Sequence, residues 1–97
     1  MPSYVTLINW TEEGVRNASQ TLERYEAAQA KLEQLGARFT DIRWTLGAHD
    51  IVAFVDAPDD ETLAAGLLAL GGQGHIRTTT LRAFSSDEMR GVLDKLS

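Results

Sequence analysis

Two short β-type segments carry apolar side chains on both faces, and this property most restricts how the chain can fold. They cover residues 4–10 and 51–55 and are rich in β-branched and aromatic residues. Because successive side chains of a strand point to opposite faces, neither segment has a polar face. In the first segment, Val5 and Leu7 oppose Tyr4, Ile8 and Trp10. Both segments are therefore predicted to be central strands of a sheet that is covered on both sides.

A helical repeat and a second strand separate these two segments. Apolar residues recur in steps of three and four up to a stop at Gly36, and the weak helix formers in 17–21 allow a break. The repeat consists of Val15, Ala18, Leu22, Tyr25, Ala28, Leu32 and Leu35. The charged residues Glu23, Arg24, Glu26, Lys31 and Glu33 are interpreted as its solvated face. The next strand is predicted over Phe39–Leu46, with Ile42, Trp44 and Leu46 on one face.

The remainder of the chain predicts a helix, a strand and a short final helix. Asp59, Asp60 and Glu61 open the first helix, Gly71-Gly72 ends it, and a strand follows over residues 75–84, with His75 exposed at its start. Ser85 and Glu88 have the spacing of a capping box before a last apolar stripe. The order βαββαβ plus a helix predicts an α+β fold: a single ferredoxin-like sandwich over residues 1–97, with a four-stranded antiparallel sheet and an extra C-terminal helix.

This sandwich leaves one apolar sheet face uncovered, because its two long helices can lie on one side only. A patch of that kind is large for a monomer, so we expect a homo-oligomer, a dimer or larger, with sheet packed on sheet and the C-terminal helix at the rim. The alternative is that the C-terminal helix, with Met89, Val92, Leu93 and Leu96, closes the face of its own chain.

Charge and composition exclude several functions. The net charge of −5 argues against nucleic acid and anionic membranes as partners, and the absence of cysteine excludes disulfides and thiolate chemistry. Half of the 14 acidic residues stand at predicted helix starts, which accounts for them without a metal site. With no signal-peptide pattern and no long apolar run, the sequence favours a cytoplasmic protein, and nothing in it points to a cofactor.

The densest polar cluster is the turn Gly47-Ala48-His49-Asp50. Adjacent residues in extended chain point to opposite sides, so His49 and Asp50 are not expected to share a proton. Asp50 is predicted to pin the turn through backbone N–H groups. His49 is either a packing residue or a base or ligand in a pocket, whereas Trp10 and Trp44 either line a cleft or anchor the core.

The chain resembles the GYD-domain family in four stretches that span nearly its whole length: 4–11, 47–52, 57–61 and 77–84. The resemblance implies a fold similar to the dimeric α+β barrels, in small bacterial or archaeal proteins mostly without assigned activity. The family's motif is usually Gly-x-Tyr-Asp, and His49 stands at the tyrosine position. Residues 47–84 are also similar to the effector-binding domain of leucine-responsive regulators, which implies an effector site at Gly47, His49 and Asp50.

Three functions remain open. The first is a non-catalytic oligomeric module that holds a small metabolite at a subunit interface near Asn9, Trp10, Gly47, His49 and Asp50. The second is a small dimeric-barrel enzyme, an isomerase or cofactor-free oxygenase, with His49 as general base. The third is a purely structural or partner-binding subunit. The sequence favours a non-catalytic protein.

Overall fold

The computed structural model describes residues 1–97 and shows one antiparallel sheet with its strands in the order β2-β3-β1-β4. The strands are β1 (Ser3–Trp10), β2 (Arg38–Trp44), β3 (Ile51–Asp56) and β4 (Ile76–Ala83). The helices are α1 (Glu12–Arg16), α2 (Thr21–Gln34), α3 (Asp60–Gly71) and α4 (Ser86–Asp94), with a 3₁₀ turn at Ala18–Gln20. This confirms the ferredoxin-like α+β arrangement, with the two doubly apolar strands in the centre.

Side-chain caps start three of the helices at the predicted places. The hydroxyl of Thr11 accepts from the N–H of Gly14 at 3.2 Å, and the carboxylate of Asp59 accepts from that of Thr62 at 2.8 Å. Ser85 and Glu88 form the predicted capping box. These bonds satisfy N–H groups that have no partner within the helix, so the local sequence sets where each helix begins.

The long apolar repeat is broken at the 3₁₀ turn, as the weak helix formers allowed. Val15 and Leu22 are 56% and 61% exposed, so the predicted stripe is wrong at these positions on either side of the break. Farther along α2, Tyr25, Ala28 and Leu32 lie on the buried side, as the stripe predicted. The predicted stripe therefore fails only near the break.

The second strand is shorter than predicted. It ends at Trp44, and Leu46 is fully exposed in the turn rather than on the apolar face. A bulge between Phe39 and Asp41 shifts the register. As a result, Phe39 and Ile42 both pack against the buried residues of the sheet.

The core lies between the sheet and the helices α2 and α3. One buried cluster is centred on Tyr4, Leu32, Val55 and Leu63, and a smaller one joins Ile8, Ile51 and Ala53. Tyr4, Ile8, Ile51, Ala53 and Val55 are the residues of β1 and β3 that alternate toward the helices, and Leu32 and Leu63 meet them from α2 and α3.

None of the α-helices combines the length and the hydropathy that a membrane-spanning helix requires.

Candidate functional site

Four hydrogen bonds connect the turn between β2 and β3 to the end of β1. Asn9 Nδ2 donates to the carbonyl of Ala48 at 2.8 Å, and the N–H of Trp10 donates to Asp50 Oδ2 at 2.9 Å. The N–H of Asp50 donates to the carbonyl of Ile8, and Nδ1 of His49 lies 2.8 Å from Asn9 Oδ1. Asp50 therefore pins the turn through a backbone N–H, although that group belongs to β1 rather than to the turn. Gly47 has a φ of 105°, a backbone conformation that residues with a side chain rarely adopt.

The hydrogen bonds of Asn9 determine the tautomer of His49. Since Asn9 Nδ2 donates to Ala48, Asn9 Oδ1 is an acceptor and takes the hydrogen of His49 Nδ1. In the neutral ring, Nε2 then carries the lone pair, and no protein group bonds to it. This arrangement can accept a hydrogen bond from a bound molecule.

The sheet separates the predicted site residues into two groups. Asn9 alternates with Trp10 along β1, so their side chains lie on opposite faces. Asn9 and His49 are hydrogen-bonded at the end of the uncovered face, whereas Trp10 lines a cavity beside the helices. The predicted grouping of Trp10 with Asn9 and His49 is therefore not a single pocket.

The uncovered side of the sheet, here called the open face, has an apolar centre. The strand register aligns Phe54, Val5 and Leu81 in one row and Val52 and Leu7 in the next. Phe54 is 43% exposed and Leu81 is 51% exposed. The margins are polar: Asp41 and Arg43 on β2 form an ion pair, Thr79 and Arg77 lie on β4, and Arg77 is directly opposite Asn9.

The C-terminal helix does not cover the open face of its own chain. Every residue of α4 is exposed, including those of its apolar stripe. The start of α4 is held by the capping box and by an ion pair of 3.5 Å between Arg82 and Glu88, and the Arg82 guanidinium lies 4.7 Å from the ring centre of Phe84. The alternative in which the helix closes its own sheet is therefore wrong for this chain.

A second concave feature, here called the sheet–helix cavity, lies on the opposite side of the sheet from the open face. Its volume is about 70 Å³, and ten of its thirteen lining residues are hydrophobic. Both tryptophans line it, and Trp44 Nε1 donates to the hydroxyl of Thr21 at 3.0 Å. The ring of Tyr25 packs against Phe39 and Trp44 at 5.4 and 6.0 Å between centroids.

The sequence predicts solvent exposure for two polar residues that line this cavity. His75 was expected to be exposed, but it is half-buried, and its Nδ1 is buried without a hydrogen-bond partner. Arg24 was assigned to the solvated face of the helix, but it is half-buried and lines the cavity. Arg24 lies three residues after Thr21 and four before Ala28, both of which line the cavity, and this helical spacing is the signal that identifies it.

Tyr4 marks the other end of the helix side. Its ring is 4% exposed, and its hydroxyl donates to the carboxylate of Asp60. This hydrogen bond to Asp60, together with burial, raises the pKa of Tyr4 above its ordinary value. The phenol is therefore neutral and acts as a structural tie between β1 and α3.

Two comparisons with known proteins agree with this architecture. A family model described as the GYD domain matches residues 4–93. A Thermus thermophilus protein named glutamine synthetase and cystathionine beta-lyase binding protein is 32% identical over 84 residues, which cover 86% of this chain and 88% of that protein. The match spans the sheet, the turn at Gly47–Asp50 and most of α4, and the chain belongs to the GYD-domain family.

Proposed function

We propose that the chain is a non-catalytic, self-associating module that binds another protein. The observation that carries this proposal is the pair of unpartnered apolar surfaces, the open face and the stripe of α4. Isolated exposed apolar residues are ordinary, but a row of them across the centre of a sheet marks an interaction site.

The occupant we propose for the open face is a second copy of the chain. Two such faces packed about a two-fold axis each cover the other's apolar rows, and the polar margins stay at the rim. The same chain also supplies α4, which lies beyond the edge strand β4 and is free to pack at the rim of a neighbouring copy. Each chain thus carries both apolar surfaces that the assembly needs to bury.

The proposed protein partner is glutamine synthetase. Support comes from the Thermus thermophilus relative, which is named for binding glutamine synthetase and cystathionine beta-lyase and aligns with most of this chain. A small module with a negative net charge and exposed apolar helix residues is suited to docking on a larger assembly rather than to enclosing a substrate.

The substitution Phe54→Glu tests self-association. It places a charge in the centre of the open face, where an unpaired buried carboxylate costs several kcal/mol, so the dissociation constant should rise by at least about a hundredfold. Light scattering across a concentration series measures this as a shift toward the mass of one chain. Leu68→Glu is the matched control, since Leu68 is 77% exposed on α3, away from the open face.

If Phe54→Glu and Leu68→Glu leave the same mass as the original protein, the open face is not the interface. Binding of purified glutamine synthetase is measured by gel filtration on the same three proteins. Absence of co-migration for the unsubstituted protein overturns the proposed partner, whatever the oligomeric state.

A second candidate, a small metabolite held at the turn, is favoured by the unbonded Nε2 of His49, which accepts a hydrogen bond. Arg77 lies beside Asn9 with no carboxylate within ion-pair distance, so the site suits a molecule that carries an anionic group for Arg77 and a separate hydrogen-bond donor for His49. Native mass spectrometry of the purified oligomer should then show an additional bound mass that His49→Ala removes while the oligomer persists. A bare oligomer, or a bound mass that survives this substitution, contradicts the metabolite site.

A further inference from the structure

We propose that the sheet–helix cavity binds a small monocarboxylic acid with a compact apolar chain. This site lies on the opposite side of the sheet from the open face, so it stands independently of self-association. Three features carry the inference: the apolar lining of the cavity, and two of its lining residues, Arg24 without a carboxylate partner and His75 with a buried, unpartnered Nδ1.

Arg24 differs from most arginines of the chain in having no carboxylate. Every arginine except Arg24 and Arg77 lies within ion-pair distance of an acidic side chain. The guanidinium of Arg24 donates only to neutral acceptors, the carbonyl of Asn17 at 3.4 Å and the side chain of Gln20 at 3.1 Å. In a chain with a net charge of −5, a half-buried arginine beside an aromatic cavity remains available for an external carboxylate.

His75 supplies a second unmet hydrogen bond at the same cavity. Buried polar atoms in folded proteins are almost always paired, so the unpartnered Nδ1 needs a partner. Either ring nitrogen of a neutral imidazole can carry the proton, and a carboxylate selects the tautomer with hydrogen on Nδ1. Arg24 and His75 then both donate, which matches an acceptor-only group.

The size and lining of the cavity define the rest of the ligand. Since about 10–15 Å³ of such space holds one water, the 70 Å³ cavity accepts a molecule of about five to seven non-hydrogen atoms. A phosphate is a poor fit, because a doubly charged group needs more donors than this largely hydrophobic lining offers. A branched or short aliphatic chain fills the apolar part between the aromatic side chains.

The two tryptophans make the test direct. Trp10 and Trp44 are the only tryptophans of the chain, and both line the cavity. Their fluorescence is titrated with 3-methylbutanoate as the probe and with 3-methylbutan-1-ol as a neutral molecule of the same shape. The acid should give a saturable change, and the alcohol should bind at least about tenfold more weakly because it lacks the charge-assisted hydrogen bonds.

Arg24→Gln should weaken binding of the acid by about ten- to a hundredfold, whereas Arg38→Gln, the matched control at an exposed arginine outside the cavity, should leave it unchanged. Arg24→Lys keeps the charge and should recover part of the affinity, which separates loss of the charge from loss of folding. The proposal is overturned by absence of saturation, by equal binding of acid and alcohol, or by equal effects of the two glutamine variants. None of these outcomes bears on the open face, so failure here leaves the proposed function standing.

Discussion

Gly14 lies where α1 meets the start of β4, and the backbone there leaves no room for a side chain. A Cβ added to Gly14 would stand 2.0 Å from the carbonyl oxygen of His75 and 3.2 Å from Cβ of Trp10. Contacts under 3.0 Å essentially never occur for a real Cβ, so Gly14→Ala must move α1 or the start of β4 by about 1 Å. We expect this substitution to destabilise the protein.

The magnitude follows from the groups that would move. Thr11 donates from its N–H to the carbonyl of His75 at 3.0 Å and from its hydroxyl to that of Gly74 at 2.6 Å. Weakening both bonds costs about 0.5–1.5 kcal/mol each, and overpacking costs about 1–3 kcal/mol. The gain in helix propensity from glycine to alanine returns at most about 1 kcal/mol. The net loss is about 3 kcal/mol, out of a total stability of about 5–15 kcal/mol.

Urea unfolding followed by circular dichroism measures this loss, and at about 4–8 °C per kcal/mol the Tm should fall by about 12–24 °C. Gly71→Ala is the matched control, because Gly71 is also a helical glycine and an added Cβ meets nothing within 4 Å. The control should be neutral or more stable by up to about 1 kcal/mol. If Gly14→Ala lies within about 0.5 kcal/mol of the unsubstituted protein at equal concentration, this close approach does not constrain the fold.

Two further predictions concern ionisable groups. Tyr4→Phe should lower the free energy of unfolding by about 1 kcal/mol, because it removes the hydrogen bond to Asp60. Since folding raises the pKa of Tyr4, the stability that its hydroxyl contributes is complete below pH 10.0 and is lost as the pH rises above that value. Urea unfolding at several pH values should therefore show a smaller alkaline loss of stability for the variant than for the unsubstituted protein. The pKa of Glu88 is lowered, chiefly by the hydrogen bond from the N–H of Ser85, so the stability that it contributes is present above pH 4.5 and lost as the pH falls below it. Backbone chemical shifts of α4 should therefore move toward coil in acid, and Glu88→Gln should remove that dependence; a helix that stays intact in acid would contradict the capping role.

The elements were predictable because their signals are local. Caps such as Thr11, Asp59 and Ser85 bond to residues three positions away, so their spacing in the sequence is their geometry. The central position of β1 and β3 also followed from the residue pattern, since a central strand carries apolar residues on both of its faces. The same argument predicted the open face.

The candidate sites were less predictable because they depend on contacts between distant segments. His75 is half-buried because Thr11 holds the start of β4 against α1, and nothing near His75 in the sequence indicates this. The sequence groups Arg24 with the other charged residues of α2 on a solvated face, and only the packing of α2 against the sheet brings it to the cavity. Asn9 and Trp10 are neighbours in the chain, yet the sheet separates their side chains.

The order of strands and helices, the starting residues of α1, α3 and α4, and the surplus of apolar surface on the sheet follow from the sequence alone. These properties depend on residues within a few positions of one another and on the two-residue period of a strand. The uncovered sheet beside α4 and the cavity lined by Arg24, His75 and both tryptophans emerge only in the folded chain. Such juxtapositions depend on strand register and on the rotation of packed helices, which are set by the simultaneous packing of all the elements.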